Sequence, residues 1–306
     1  MKYILIPLLI STRLFAQELI TPIPLTAQYN HAKALLGKKL FFDTRLSHDN
    51  TISCASCHFL DEGGDDNIAI SIGINGKKGV RNAPTVLNAL YNVNQFWDGR
   101  AKSLKDQVRS PIHNSFEMGS NFDEVIEKLS KDSDYVNSFK SLYRDQITGN
   151  NISDAIAEFE KTLITPNARF DKFLRGDKEA LNANELNGYR IFKEYGCISC
   201  HNGVNIGGNL MQKMGAVEEY ETSDLGRFNV TKRERDKFYF KVPSLRNVEL
   251  TAPYSHDGSV KTLKSAVEVV LKYQVGIHLK DKEVEDIVKF LKTLTGESVK
   301  IIEDKR

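Results

Sequence analysis

The chain lacks a hydrophobic run long enough to cross a membrane, and it lacks an excess of charge of either sign. Its most apolar stretch, residues 3–10, is well short of the ~20 residues that a spanning helix requires. The 42 lysines and arginines nearly balance 40 aspartates and glutamates, which leaves a net charge of +2. This balance gives no electrostatic reason to expect nucleic acid or an anionic membrane surface as a partner.

Tryptophan, methionine and cysteine are all scarce, with one, four and four residues among 306. A chain of this length is expected to form about two domains, and both are large enough to bury a core without disulfide bonds. Apolar residues make up 41% and charged residues 27%, which is typical of a globular protein. The composition therefore argues against disorder, a collagen-like repeat and a coiled coil.

The first sixteen residues are typical of an export signal. Lys2 gives a positive start, residues 3–10 form a short apolar run, and residues 14–16 offer a cleavage site. A membrane anchor is the alternative, but the run is too short to span a bilayer. We therefore expect a signal peptide over residues 1–16 and no membrane insertion after its removal. Loss of Lys2 and Arg13 would leave equal numbers of basic and acidic residues.

All four cysteines fall in two copies of one motif, Cys-x-x-Cys-His. The copies are Cys54, Cys57 and His58, then Cys197, Cys200 and His201. This pattern attaches c-type haem: two thiols add to the two vinyl groups, and the adjacent histidine binds iron as the proximal ligand. Histidine occupies only 7 of 306 positions, so a histidine after both pairs rarely arises by chance. The motif predicts two covalently bound haem c groups.

Three other uses of these cysteines fit less well. A zinc site would bring its cysteine pairs about 15–20 residues apart, whereas Cys57 and Cys197 are separated by 140 positions. A thioredoxin-like pair would follow a strand, whereas Cys54 follows a polar loop. Disulfides are permitted in an exported protein, but they require no histidine.

Apolar residues recur at helical spacing along most of the chain, and strand signals are few, around Phe238–Val242. The sequence flanking the two haem motifs is not obviously repeated. Thr165-Pro166-Asn167 interrupts the chain after a helix, which places a domain boundary there. Predicted helices cover residues 34–42, 103–109, 122–131, 134–143, 153–164, 186–195, 262–273 and 282–294, and Ser153 or Asp154 is the predicted cap of the fifth.

Longer blocks of sequence resemble the bacterial di-haem cytochrome c peroxidases, from about Leu36 to Gly296. The family is part of a superfamily with di-haem enzymes that oxidise a protein tryptophan during methylamine-dehydrogenase maturation. The blocks that carry the resemblance include LGKKLFFDTRLS (36–47), RNAPTVLNALYN (81–92), QFWDGRAKSLKDQ (95–107), GCISCHNGVNIGG (196–208) and VPSLRNVELTAPYSHDG (242–258).

The resemblance implies a mainly α fold of two cytochrome c-like haem domains packed across an interface, with few short strands. We expect an N-terminal haem domain over 17–165 that binds peroxide and a C-terminal haem domain over 166–306 that accepts electrons. The implied function is a periplasmic peroxidase that reduces hydrogen peroxide to water. The implied electron donor is a small cytochrome c or a cupredoxin, and a homodimer is possible in this family.

The same resemblance assigns roles to single residues. Trp97 would lie between the haems and assist electron transfer, although core packing is the alternative for a lone tryptophan. Glu117 would move the proton that O–O cleavage requires, and Gln107 would orient peroxide or water beside it. His113 is four residues before Glu117 and is expected at the surface.

The family also carries calcium at the domain interface. The matching ligands are the side chain of Asn82 and the backbone carbonyls of Thr251 and Pro253, completed by water. Oxygen ligands with retained water suit calcium.

Two haem ligands that the family has are absent. The distal histidine of the N-terminal haem corresponds to Ile74, and the distal methionine of the C-terminal haem corresponds to Val270. We expect the N-terminal iron to be open to peroxide in the oxidised state. Candidate substitutes at the C-terminal haem are Tyr273, Lys272, His256 and His278, and an open position is the alternative. A di-haem oxidase acting on another substrate and a non-catalytic electron-transfer cytochrome are the alternative functions.

Overall fold

A computed structural model describes residues 19–144, 146–297 and 301–303. The predicted signal peptide lies outside these ranges. Within them the protein is mainly helical, as expected, with one short antiparallel pair of strands, β1 (Met211–Lys213) and β2 (Tyr239–Lys241). The helices are α1 (His31–Phe41), α2 (Leu104–His113), α3 (Phe122–Leu129), α4 (Ser133–Tyr143), α5 (Gly149–Glu160), α6 (Arg169–Leu174), α7 (Ala183–Glu194), α8 (Phe228–Thr231), α9 (Leu263–Val270) and α10 (Asp281–Lys292).

The start of α5 differs from the sequence prediction. The helix begins at Gly149, a full turn before the expected cap at Ser153 or Asp154. Thr148 is the actual cap, because its Oγ1 accepts a hydrogen bond from Asn151 N at 3.1 Å. The Ser153 hydroxyl instead donates to the Gly149 carbonyl oxygen within the helix, at 2.8 Å. Local composition alone did not distinguish these two polar residues.

The end of α9 also differs from the prediction. We expected one helix over 262–273, but α9 ends at Val270 and continues as a wider turn over Leu271–Val275. Gly276, with φ 75°, terminates it in the left-handed conformation.

Each half of the protein is built on a crossed pair of helices that meet at a glycine. A Cβ atom on Gly37 of α1 would lie 1.8 Å from the Ala155 carbonyl oxygen of α5. A Cβ on Gly188 of α7 would lie 1.9 Å from the Asp286 carbonyl oxygen of α10. Only glycine allows this close backbone contact. Each haem motif follows the first helix of its pair along the chain, α1 before Cys54 and α7 before Cys197.

Two hydrophobic cores correspond to these two helix pairs. The first includes Phe41 and Phe159, and the second includes Phe170 and Phe290, all fully buried. Burial of each such side chain contributes about 1.5–3 kcal/mol. The chain ends cross between the halves, because Ile20 packs in the second core whereas residues 301–302 pack against the first.

A loop repeat that the sequence did not reveal relates the two halves. Asn88 and Asn247 both have φ 59°, and each comes four positions after a proline. Further along each loop, Trp97 and His256 occupy the same place before an Asp-Gly turn. An isolated antiparallel bridge closes both loops, Gln95 to Ala101 in the first and Tyr254 to Val260 in the second.

The repeated asparagines join the halves through Thr165, at the predicted boundary. Asn88 Nδ2 donates to Thr165 Oγ1 at 2.8 Å, and Asn247 Nδ2 donates to the same oxygen at 2.9 Å. The Thr165 amide donates in turn to Asn88 Oδ1 at 2.9 Å. All three side chains are buried, so this polar network fixes the relative position of the two loops.

Candidate functional site

The first haem motif forms a single tight turn at the wall of a cavity. Cys57 N donates to Cys54 O at 3.2 Å, which brings both thiols to one side of the turn. His58 Nδ1 faces the Gly64 carbonyl oxygen at 2.9 Å, so Nδ1–H donates and Nε2 remains available to a metal. Burial lowers the pKa of His58, which favours the neutral, ligating form.

The second motif repeats this arrangement. Gly196, with φ 78°, precedes the turn, and His201 N donates to Cys197 O at 2.9 Å. His201 Nδ1 faces the Ile206 carbonyl oxygen at 3.2 Å, and burial lowers the pKa of its ring to about 4. None of the four cysteines forms a disulfide, and burial raises the pKa of each thiol. The disulfide alternative is therefore not favoured.

Each motif opens into its own cavity, the N-terminal cavity of about 270 Å³ and the C-terminal cavity of about 510 Å³. Both walls are largely apolar, yet each includes buried ionisable side chains, Glu160 in the first and Lys241, Asp65 and His256 in the second. Glu160 faces the N-terminal cavity with Oε2 unpartnered, and burial raises its pKa to about 8. Lys241 faces the C-terminal cavity, and burial lowers its pKa to about 8.

Glu160 and Lys241 bear on whether the cavities suit haem. Lys241 is 6% exposed and has no ion-pair partner in the described ranges. A buried ammonium requires an anion, and haem carries two propionate carboxylates. Paired thiols, a neutral histidine with a free nitrogen and an unpaired cation beside an apolar cavity all fit the cofactor. Sequence reasoning missed Lys241 and Glu160, although each is a charged residue inside an apolar segment.

The N-terminal cavity contains the predicted acid–base residue. Glu117 lines it together with His58, Gln107 and Trp97. Glu117 Oε1 accepts a hydrogen bond from Asn114 Nδ2 at 2.6 Å. Burial raises the pKa of Glu117, and the Asn114 hydrogen bond and the Arg100 charge oppose that shift.

His113 does not belong to this group. It is exposed, lies outside the N-terminal cavity, and packs edge-on against Phe122 with ring centres 5.1 Å apart. The surface position expected for it is the one it occupies.

Ile74, at the position of the missing distal histidine, turns away from the N-terminal cavity. Its side chain is 4% exposed, and its Cδ1 would lie 2.2 Å from a Cβ on Gly119. Ile74 N donates to the Glu117 carbonyl oxygen at 2.9 Å, and Lys77 Nζ donates to the Ser115 carbonyl oxygen at 3.2 Å. The 71–79 loop is thus packed onto the turn that carries Glu117.

Trp97 lines both cavities and is held at its ring and its backbone. Its Nε1 donates to the Asn82 carbonyl oxygen at 3.0 Å, and its own carbonyl accepts from Lys241 N at 2.6 Å. The indole packs edge-on against His256, with ring centres 6.4 Å apart. Trp97 therefore bridges the two haem cavities.

A charged network beside Trp97 crosses between the halves. Arg81 donates to Asp98 at 2.5 Å and to Asp224 at 2.6 and 2.8 Å, and Arg100 also pairs with Asp98. Arg81 and Arg100 both line the N-terminal cavity. The sequence analysis missed this network, because its partners are far apart in the chain.

The residues predicted to bind calcium lie together at the edge of the C-terminal cavity. Asn82 Nδ2 donates to the Ile68 carbonyl oxygen at 3.0 Å, which leaves Oδ1 as the free end of the amide. Within the described ranges, no donor reaches Asn82 Oδ1 or the carbonyl oxygens of Thr251 and Pro253. Unpartnered oxygens of this kind suit a hard cation.

Asp65 lines the same cavity with both carboxylate oxygens buried and unpartnered, and burial raises its pKa to about 7. No cluster of three His, Cys, Asp or Glu side chains suited to a metal occurs in the part of the chain that is described. A cation at this edge would therefore depend on amide and carbonyl oxygens with water.

The candidates for a sixth ligand of the C-terminal haem iron differ in whether they line the C-terminal cavity. Tyr273, Lys272 and His278 do not line the C-terminal cavity, whereas His256 and Val270 do. Tyr273 instead packs against Tyr220, with ring centres 5.1 Å apart.

Comparison with known proteins agrees with this arrangement. Residues 31–179 match the di-haem cytochrome c peroxidase family, and residues 186–295 match the cytochrome c family. The cytochrome c551 peroxidase of Nitrosomonas europaea is 50% identical over 285 residues, covering 92% of this chain and 85% of that protein. The chain belongs to the di-haem cytochrome c peroxidase family. The predictions of the family, the fold and two c-type haems are confirmed.

Other members of the di-haem peroxidase family give the same result. The cytochrome c peroxidase Ccp of Escherichia coli K12 is 49% identical over 295 residues, and this chain spans 63% of its length. A crystal structure of a MauG-like protein associated with microbial copper homeostasis has a TM-score of 0.82 at 28% identity, covering 94% of this chain and 96% of that one.

No helix among the described residues has the length and apolar character to cross a membrane.

Proposed function

We propose that this di-haem peroxidase reduces hydrogen peroxide to water at the N-terminal haem, attached to Cys54 and Cys57 with His58 as proximal ligand. Electrons reach it from the C-terminal haem, which a small cytochrome c or cupredoxin reduces. The single observation that carries the proposal is Glu117, a carboxylate in the same cavity as His58. A pure electron carrier has no need of an acid–base group beside an open metal position.

Side chains of the protein transfer the protons. When bound, haem supplies an iron that holds peroxide and passes electrons to it. Glu117 accepts the proton of the inner peroxide oxygen and returns it to the outer oxygen, so that the O–O bond breaks with water as the leaving group. Two electrons and two further protons complete the second water. Asn114 orients the Glu117 carboxylate, and Gln107 is placed to orient peroxide.

Ile74 supports the view that the N-terminal haem has an open position before any reduction. An isoleucine cannot bind iron, and its side chain packs on Gly119 outside the cavity. The 71–79 loop is held on the Glu117 turn by two hydrogen bonds. A fully low-spin, bis-histidine spectrum of the oxidised protein would contradict this part of the proposal.

We propose that Trp97 assists electron transfer between the haems, since it lines both cavities and is fixed at both ends. We also propose that calcium binds Asn82 Oδ1 with the Thr251 and Pro253 carbonyls and water. This ion would act as a structural and activating group, since the Asn82 carbonyl contacts the Trp97 indole.

We infer that the protein is exported to the periplasm after loss of residues 1–16, and that it is composed of haem domains 17–165 and 166–306. We also propose that the protein forms a homodimer, as the family resemblance implies. Ile20 is an exception to these domain bounds, since it packs in the second core and so accompanies the C-terminal domain.

The test uses the protein loaded with both haems. Oxidised holoprotein is mixed with reduced cytochrome c, and donor oxidation is followed with and without hydrogen peroxide. Turnover that needs peroxide and starts without prior reduction is expected. Haem loading without peroxide turnover would favour an electron carrier, and oxidation of another substrate instead of the donor would favour a di-haem oxidase.

A further inference from the structure

The C-terminal cavity contains few side chains able to bind iron opposite His201. Apart from the cysteines and His201, the lining side chains with a suitable sulfur, nitrogen or phenol group are Met214, His256, Lys241, Tyr195 and Tyr254. The Tyr254 hydroxyl already donates to the Val248 carbonyl oxygen at 3.0 Å, and Tyr195 is exposed. Val270, the residue expected to carry the distal ligand, lines the cavity with hydrocarbon alone.

His256 is already engaged on both sides of its ring. It stacks on Phe240 with ring centres 4.3 Å apart and an interplanar angle of 25°. Its Nε2 lies 3.2 Å from Thr222 Oγ1, and its Nδ1 lies 3.3 Å from Ser255 Oγ. Binding iron would cost the stack and at least one of these contacts.

Lys241 suits a different part of the cofactor. As an ammonium it has no lone pair, and it would have to lose its proton in order to bind iron. The same positive charge is well matched to a haem propionate. Its backbone is also fixed to Trp97 by the 2.6 Å hydrogen bond to the indole residue's carbonyl.

Met214 is held in the wall of the cavity that Val270 also lines. Its amide donates to the Phe238 carbonyl oxygen at 2.8 Å, which extends the β1–β2 pair. Gln274 clamps the segment on both sides of Met214, because its Nε2 donates to Lys213 O and its Oε1 accepts from Ala216 N, both at 2.9 Å. Gln274 is four residues after Val270, about one helical turn, so Met214 lies next to the same wall.

Strand geometry separates Met214 from the neighbouring methionine. Successive side chains of a strand point to opposite faces. Gln212 and Met214 accordingly line the cavity, and Met211 does not. The Met211 sulfur faces the opposite way, 3.1 Å from where Gly99 would carry a Cβ.

We propose that Met214 is the distal ligand of the C-terminal haem and binds iron through its thioether sulfur. The inference rests on the proposed function only in requiring haem at Cys197 and Cys200. Methionine reaches irregular gaps because three side-chain bonds rotate freely, and a thioether ligand raises the haem potential. The chain would thus regain, from a loop, the ligand that Val270 lacks.

The experiment compares holoprotein variants by electron paramagnetic resonance, near-infrared absorption and redox titration. Met214→Leu keeps the volume but removes the sulfur, and it is expected to abolish the histidine–methionine signal of the C-terminal haem. We expect its potential to fall by about 59 mV or more, which is tenfold in the ratio of reduced to oxidised haem. Met211→Leu, three residues earlier, is the matched control. It is expected to keep both the histidine–methionine signal and the potential of the C-terminal haem.

Two further variants make the assignment independent of folding defects. Met214→His is expected to convert the signal to a bis-histidine type, and Val270→Met in the Met214→Leu background is expected to restore thioether ligation. An unchanged spectrum in Met214→Leu, or a wild-type C-terminal haem without thioether ligation, would overturn the proposal. Failure of the proposed function is distinct, since it is loss of peroxide turnover in protein with two haems and normal spectra.

Discussion

The indole nitrogen of Trp97 lies 3.0 Å from the carbonyl oxygen of Asn82 and donates a hydrogen bond to it. The side chain of the same asparagine is the candidate calcium ligand. Trp97, which lines both haem cavities, is therefore hydrogen-bonded to the backbone of the residue whose side chain would bind the ion. A cation that orders Asn82 would also order Trp97.

Asn82→Ala is expected to weaken calcium binding at least tenfold, or about 1.4 kcal/mol, because the side-chain oxygen ligand is lost. It is also expected to slow electron transfer between the haems, since the Asn82 backbone carbonyl that accepts the Trp97 hydrogen bond is no longer held in place by the cation. Calorimetric titration of calcium into chelator-treated holoprotein measures the first effect, and stopped-flow reduction measures the second. Asn82→Asp retains an oxygen ligand and should retain calcium. Equal affinity in Asn82→Ala and the wild type would remove Asn82 from the site.

Glu117→Gln keeps the shape of the side chain but cannot accept a proton. Turnover should fall by roughly 10²–10⁴-fold, the usual contribution of a general acid–base group. Both haems should remain attached, because Glu117 contacts neither cysteine pair. Steady-state kinetics with peroxide measure the turnover, and a haem count on the same sample measures haem attachment. Glu127→Gln is the control, since Glu127 is exposed and pairs only with Lys131. Undiminished turnover in Glu117→Gln would end its assigned role.

The haem sites and the helical fold could be predicted from sequence because they depend on local signals. The Cys-x-x-Cys-His spacing fits one tight turn, and helical periodicity extends over a turn or more. Glu117 and Trp97 were identified through a resemblance in which whole blocks match. Both residues line the N-terminal cavity, and their roles stay predictions.

The residues that sequence reasoning missed depend on contacts between distant segments. Lys241 becomes an unpaired buried cation only when β2 packs beside Trp97. Met214 lines the cavity where Gln274, in the turn after α9, holds its loop. The loop repeat around Asn88 and Asn247 is carried by backbone conformation, while the side chains between them have diverged. Lys241 and Met214 have no local signature, whereas the loop repeat has a sparse one, in a proline four positions before each asparagine and a later Asp-Gly pair.

Thr165→Val tests the network that joins the two halves. Valine matches threonine in shape but cannot accept the hydrogen bonds from Asn88 and Asn247, so two buried amides would lose a partner. We expect the free energy of unfolding to fall by about 1–3 kcal/mol for each, measured by chemical denaturation of holoprotein. Thr26→Val, at an exposed position, controls for the substitution itself. A stability loss no larger than that of Thr26→Val would contradict the role of the network.

Arg100→Gln tests the electrostatics of the peroxide pocket through the pH dependence of kcat/KM. Burial raises the pKa of Glu117, and the positive charge of Arg100 partly offsets that effect. The ionised carboxylate is the form that accepts a proton, so activity is lost as the pH falls through the pKa of Glu117. Removing the Arg100 charge raises this pKa further, because the ionised form loses a favourable partner. The acid limb of the profile should therefore move to higher pH.

The matched control for this shift is Arg109→Gln, since Arg109 lies outside the N-terminal cavity and packs over Phe122. It removes the same charge from helix α2, outside the cavity, and should leave the acid limb in place. Asp98 retains its pairing with Arg81 at 2.5 Å in Arg100→Gln, so the neighbouring loop stays anchored. If the limb in Arg100→Gln stays fixed or moves to lower pH, Glu117 is not the group whose ionisation controls the reaction.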